Sequence, residues 1–162
     1  MPTSARTGYK FLGWYTAASG GTQVSSSTTI NAATTVHAQW SPITYTIKYD
    51  GNGATSGSTA SSTHTYNSAK VLTTNGFKRI GYEFLGWATS KTGGVAYVDK
   101  QSVTNLANTQ GAVDTLYAVW KLVSSTYVKV NGQYKVGVVY VKKDGVYQQG
   151  LLYTKKDNTY KV

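Results

Sequence analysis

Gly8-Tyr9-Lys10-Phe11-Leu12-Gly13-Trp14 returns as Gly81-Tyr82-Glu83-Phe84-Leu85-Gly86-Trp87, and this recurrence governs how the whole chain is read. Downstream, Thr16 and Gly20-Gly21 correspond to Thr89 and Gly93-Gly94 at the same offset. Thr35-Val36-His37-Ala38-Gln39-Trp40 then corresponds to Thr115-Leu116-Tyr117-Ala118-Val119-Trp120 at an offset seven residues larger. The second copy therefore carries an insertion, around Gln101 to Gly111. Self-similarity of this kind marks small units set in series rather than one large core.

Upstream of the motif, the second copy has a front half, Thr44-Tyr45-Thr46-Ile47-Lys48-Tyr49-Asp50-Gly51-Asn52-Gly53, that the first copy lacks. Tyr45, Ile47 and Tyr49 alternate with polar neighbours, the period of a half-buried strand. Asp50 to Gly53 ends it, because Gly and Asn tolerate the positive φ of a tight turn. Residues 44–73 precede the point that aligns with Met1, so Met1 reads as an internal or artificial start in a longer protein. The first unit then lacks its opening strand, and an unpaired edge or bare apolar face is expected on residues 1–40.

Further along, Ala54 to Thr63 reads as a mobile loop and His64 to Leu72 as a second strand. Tyr82 to Ala88 reads as a third, with Tyr82, Phe84 and Gly86 on one face against Glu83, Leu85 and Trp87. Ser102 is expected to cap a short helical turn through Leu106 and Ala107, and Thr115 to Trp120 to form the closing strand. Trp14, Trp40, Trp87 and Trp120 recur at matching positions, which favours core side chains over exposed platforms for sugar rings.

The opening strand and its Asp-Gly-Asn-Gly turn, the Arg-x-Gly-Tyr-x-Phe-Leu-Gly-Trp centre, the Gly-Gly turn and the closing Leu116-Tyr117-Ala118-Val119-Trp120 together resemble the Listeria-Bacteroides repeat of bacterial surface proteins, as in the internalin B-repeat. The resemblance covers residues 44–120 fully and 3–40 in part. It implies a small β-grasp, ubiquitin-like fold, tandem repetition in exported proteins, and a spacer or adhesive role without catalysis. The truncated first copy and the long segment from Gln101 to Gly111 depart from the pattern.

A shorter period begins after Trp120. Tyr127, Tyr140 and Tyr153 lie 13 residues apart, as do Lys129, Lys142 and Lys155, and Tyr134, Tyr147 and Tyr160. Each unit sets Asn131-Gly132, Asp144-Gly145 or Asp157-Asn158 between two short runs, a strong hairpin signal. That register opposes Lys129 to Tyr134, Lys142 to Tyr147 and Lys155 to Tyr160. Gly137-Val138-Val139 and Gly150-Leu151-Leu152 join successive hairpins. Lone hairpins are marginal in water, so these units are expected to stack on one another, on the preceding repeat or on another chain.

The fold expected is mainly β: a small β-grasp repeat over 43–121, an incomplete copy over 1–42 before it, and three 13-residue hairpins over 122–162 after it. Residues 127–162 hold seven lysines against two aspartates, a net +5 of the chain's +10. That bias suits an anionic partner such as teichoic acid, an acidic glycan or phospholipid, with nucleic acid least favoured. It equally suits lysines that protect exposed strand edges.

No cysteine is present, which excludes disulfides and thiolate chemistry. No run approaches the ~20 apolar residues of a membrane-spanning helix, and the opening lacks a signal-peptide core. The six carboxylates, Asp50, Glu83, Asp99, Asp114, Asp144 and Asp157, suggest no facing pair for glycoside hydrolysis. His37 takes the place of Tyr117 and reads as a tolerated strand substitution, so neither a zinc site nor a nucleophile triad is expected. Gly51-Asn52-Gly53 lacks the Lys-Ser/Thr of a phosphate loop. No catalytic residue, cofactor or metal is expected.

The reading is thus a non-catalytic spacer or adhesion segment of an exported bacterial protein, whose partners are neighbouring domains and, through the incomplete first repeat or the tail, other copies. The alternative is a module for carbohydrate or anionic polymer, using Lys129, Tyr134, Lys142, Tyr147, Lys155 and Tyr160.

Overall fold

The computed structural model describes residues 2–30 and 32–123, and the backbone of six further strands between 126 and 161. Every regular element among them is a β-strand, as a chain rich in Tyr, Thr, Val, Ser and Gly predicts.

The first copy is a three-stranded antiparallel sheet of β1 (Tyr9–Tyr15), β2 (Gln23–Val24) and β3 (His37–Pro42), in the order β2-β1-β3. The second copy contributes β4 (Thr44–Asp50), β5 (Ser56–Gly57), β6 (Ser62–Thr65), β7 (Lys70–Val71), β8 (Phe77–Lys78), β9 (Tyr82–Ala88), β10 (Ser102–Val103) and β11 (Val113–Leu122). Its main sheet runs β6-β4-β11-β9, with β4 and β11 parallel at the centre and antiparallel pairs outside. The parallel pair forces a long crossover, and β5/β8 and β7/β10 are two-stranded ribbons within it.

The repeated Phe-Leu-Gly-Trp encodes a β-bulge. Phe84 pairs with Trp120 and Gly86 with Val119, leaving Leu85 as the extra residue; Phe11–Trp40 and Gly13–Gln39 leave Leu12 out in the same way. An inserted residue shifts the alternation by one. This corrects the expected faces of the strand, because Trp87 turns to the Phe84 side instead of opposing it, and the two rings pack 4.9 Å apart. Gly86, at φ 151°, permits the bulge to sit against the next segment: a Cβ there would stand 2.6 Å from Tyr97 O.

Trp87 is fully buried in a core with Tyr45, Ile47, Leu72, Val103, Leu116 and Ala118, and Tyr49 packs on its ring at 4.7 Å. The other three indoles are only half-buried, so the expectation of four core tryptophans holds fully for one.

Three other expectations are corrected. Ser102–Val103 forms a strand against Lys70–Val71 rather than a helical turn, because Lys100 and Asn105 both adopt φ 57° and interrupt any helical run. His64 to Leu72 is split into β6 and β7 where Asn67 takes φ 58°. The Ser/Thr-rich Ala54 to Thr63 is tied down by the pairing of Ser56–Gly57 with Phe77–Lys78.

His64, on β6, is 1% exposed and stacks on Tyr45. Its Nε2 lies 2.9 Å from Ser62 Oγ, while Nδ1 has no hydrogen-bond partner among the described residues. Protonation would bury a charged N–H without an acceptor. Burial therefore lowers its pKa below the ordinary 6.5, and the Lys70 charge adds to the effect. The stability this represents is present above the unfolded value and is lost as pH falls through the lower folded one. Acidification from about pH 7.5 to 5 is expected to lower the melting temperature of the native chain more than that of His64→Phe, which keeps a ring on Tyr45 and has no proton to gain. Equal losses in the two proteins would contradict this.

The tail forms three hairpins: β12 (Thr126–Val130) with β13 (Gln133–Gly137), β14 (Tyr140–Lys143) with β15 (Val146–Gln149), and β16 (Thr154–Lys156) with β17 (Thr159–Lys161). The expected turn dipeptides and the connecting Val138, Val139, Gly150, Leu151 and Leu152 lie outside the described residues.

Candidate functional site

The two copies meet with a single residue, Ile43, between Pro42 at the end of β3 and Thr44 at the start of β4. Ile43 is 3% exposed. Its amide donates to Gly8 O at 3.0 Å, and its carbonyl accepts from Tyr66 N at 2.9 Å. Tyr66 then packs edge-on to Tyr9 at 5.8 Å, and Asn67 Nδ2 donates to the Tyr9 hydroxyl at 2.9 Å. Gly8 is essential here on two counts: φ is 75°, and any Cβ would run into the Tyr66 ring. The junction thus clips both copies through backbone and side chain at once. Part of the same geometry recurs at the end of the second copy, where Val123 N donates to Gly81 O at 3.0 Å. The Arg6 guanidinium over Tyr9 is likewise matched by Arg79 over Tyr82, each at 3.9 Å.

None of Ile43, Tyr66 and Asn67 was distinguished by sequence reasoning as an inter-repeat contact. The signal available was the lack of any linker between the closing strand of one copy and the opening strand of the next.

A second feature is the outer edge of β3. In the second copy the equivalent strand, β11, is flanked by β4, and the turn after β4 is fastened down. Trp120 Nε1 donates to Gly51 O at 2.8 Å, and Asn52 Nδ2 donates to Ala118 O and Lys91 O, both at 2.9 Å. Among the described residues β3 has no strand paired on that side. Phe11 packs with Trp14 at 5.7 Å and Trp40 at 5.1 Å, but all three rings stay half-buried.

The candidate ligand residues of the tail stand in the expected register: Lys129 opposite Tyr134, Lys142 opposite Tyr147 and Lys155 opposite Tyr160. Their side chains lie outside the described residues. Among the carboxylates, Asp50 accepts from Asn52 N at 2.7 Å within its own turn, and Asp99 accepts from Asn75 N at 2.9 Å across two segments distant in sequence, so both are engaged with backbone amides. An open groove of about 380 Å³ beside β11 has Asp114 as its one acidic wall residue. His37 pairs with Tyr15 in the ladder and His64 is buried elsewhere. Among the described residues no three His, Asp or Glu side chains gather.

A family model described as the Listeria-Bacteroides repeat domain matches residues 1–39 and 45–119. This family occurs in bacterial surface proteins. A protein of Evansella cellulosilytica that carries the provisional name Gly-rich membrane protein is 30% identical over 146 residues, covering 83% of this chain and 17% of that protein. The chain thus spans less than a fifth of that relative. No helix among the described residues is long and apolar enough to cross a membrane. No solved structure matches. The two matched stretches each carry the bulged Phe-Leu-Gly-Trp strand paired with a closing strand, and the chain belongs to the Listeria-Bacteroides repeat domain family.

Proposed function

We propose that the chain is a non-catalytic spacer or adhesion segment of a bacterial surface or secreted protein, in which β-grasp-like repeats hold neighbouring domains at a fixed direction. The observation that carries this reading is the Ile43 junction. A one-residue link, buried and hydrogen-bonded on both sides, leaves adjacent repeats little freedom to pivot, so a series of them transmits orientation as well as distance. The family and the provisional membrane name of the relative support a place at the cell surface. Residual dipolar couplings from the amides of 9–42 and 44–121 in the whole chain are expected to fit one alignment tensor. Two unrelated tensors would remove the spacer reading. Incubation with peptidoglycan or peptide substrates is expected to give no turnover.

A second reading draws on the tail register, which sets a Lys opposite a Tyr in each hairpin beside a net charge of +5 contributed by seven lysines and two aspartates. Such a tail suits teichoic acid or an acidic glycan. Binding driven by lysines weakens steeply with salt through counterion release. Titration with wall polymer in rising salt is therefore expected to show a log-linear loss of affinity; salt-independent binding, or none, counts against this reading.

A further inference from the structure

The two flanks of β11 are not equally occupied. Val113 to Tyr117 pairs with β4 on one side, but on the other side β9 reaches only as far as the pair Tyr117–Ala88. Beyond Ala88 the chain leaves the sheet at Thr89. Val113 to Leu116 therefore forms a strand edge inside the complete copy, with no strand beside it among the described residues.

Alternation decides which main-chain groups this edge presents. Trp87 N donates to Tyr97 O at 2.8 Å and Trp87 O accepts from Ala96 N at 2.8 Å, both on the far side of β9, so Ala88 is the residue that bonds to Tyr117. Thr46 N donates to Ala112 O at 2.8 Å, so Asp114 and Leu116, at even steps from Ala112, bond to β4. Val113 and Thr115 then turn N–H and C=O away from β4, to the same side as Tyr117. Neither has a hydrogen-bond partner there among the described residues.

The groove of about 380 Å³ runs along this edge. Ile47 and Leu116 give it a buried apolar floor, and Tyr97 and Leu106 stand half-buried beside them. Thr89 lines it where β9 stops, and the exposed Asp114 lies further along the strand. Unpaired ladder groups beside an apolar hollow suit an extended peptide, because main-chain bonds hold the peptide and the hollow selects its side chains.

We infer that Val113–Leu116 is the docking edge for one extended, basic peptide segment of another protein, which runs antiparallel to β11 along the line of β9. In that direction the residue opposite Leu116 comes two before the residue opposite Asp114, and both point to the core-side face. The first is apolar and enters the groove over Leu116 and Leu106. The second is Lys or Arg and meets the Asp114 carboxylate, the one acidic group of the groove. The same carboxylate argues against a second copy as occupant. The two-fold register that uses both free residues of each edge sets two Asp114 side chains directly opposite, and like charges so placed are destabilising. The inference is independent of the spacer reading, which rests on the Ile43 junction, and of the tail reading, since no tail residue takes part.

The test titrates the isotope-labelled whole chain with the capped peptide Thr-Leu-Thr-Lys-Val-Thr, whose Leu and Lys have the required spacing. Saturable shifts at millimolar peptide are expected at Val113 to Leu116, Thr89 and Leu106, with new exchange protection of the Val113 and Thr115 amides. Pro in place of the Thr between Leu and Lys removes the N–H opposite Thr115 and is expected to abolish binding. Asp114→Asn keeps the shape of an exposed side chain and is expected to weaken binding about two- to fivefold, the range of an exposed ion pair. Glu in place of the peptide Lys is expected to weaken binding to the native chain at least as much. No saturable binding, or shifts confined to the first copy or the tail, overturns the inference. Binding indifferent to the Pro peptide overturns it, and so does equal binding of the Lys and Glu peptides. Protection of both amides in the free chain would mean that the edge is already filled, by the tail if concentration has no effect and by a second copy if protection grows with concentration. Either result overturns it as well.

Discussion

Trp87→Ala is expected to destabilise the second copy by about 3–5 kcal/mol, the range for deleting a large buried aromatic ring. The indole is fully buried, and Tyr49, Phe77 and Phe84 surround it at ring separations of 4.7, 6.4 and 4.9 Å. These partners come from β4, β8 and β9, so the cavity opens among three elements. A unit of this size has on the order of 0.05–0.15 kcal/mol per residue to lose. The substitution therefore removes a large share of its margin. Calorimetry of the whole chain is expected to show the transition of this unit shifted far down or missing. Trp14→Ala at the equivalent, half-buried position is expected to cost less than about half as much. Trp87→Phe is a useful intermediate: it sheds volume, but it also removes a buried indole N–H that has no acceptor among the described residues, which offsets part of the loss. Equal effects of Trp87→Ala and Trp14→Ala would contradict the difference in burial between the two indoles.

The same comparison shows which parts of the fold were legible in sequence. The duplication was, because the glycines and aromatics that build the bulge are local to one strand and recur with it. The parity of that strand was not. Simple alternation assigns Trp87 to the face opposite Phe84, and only the pairing of Gly86 with Val119 reveals the extra residue at Leu85. The mainly-β class and the tail register follow from period-two runs and turn dipeptides, which are also local. The ribbons β5/β8 and β7/β10 join residues that lie far apart in sequence and show no period of their own, so they read as a loop and a helical turn. The junction was not legible either, since Ile43, Tyr66 and Asn67 acquire meaning only once β6 brings Tyr66 back beside Gly8.

Gly8→Ala is expected to free the two copies from each other without unfolding either. Two penalties act at the position. The left-handed φ of 75° costs an L-residue about 1–2 kcal/mol. The new methyl also meets the Tyr66 ring, and overpacking of this kind costs about 1–3 kcal/mol. Tyr66 cannot swing aside freely, because its amide is bonded to Ile43 O and its ring rests on Tyr9. Against this the junction itself holds two backbone hydrogen bonds and the Asn67–Tyr9 hydroxyl bond at about 1 kcal/mol each and one aromatic pair at about 0.5–1.5 kcal/mol, together with the burial of Ile43. The strain is comparable with these contacts and falls on none of the sheet cores, so the junction yields first. Couplings from 9–42 and 44–121 are then expected to need two tensors, while amide exchange inside β1 and β9 stays as in the native chain. Tyr66→Ala removes the aromatic pair but imposes no strain, and it should loosen the junction less. A Gly8→Ala chain that still fits one tensor would show that the orientation is set by Ile43 alone, and that Gly8 is kept for the bend of its own chain rather than for its neighbour.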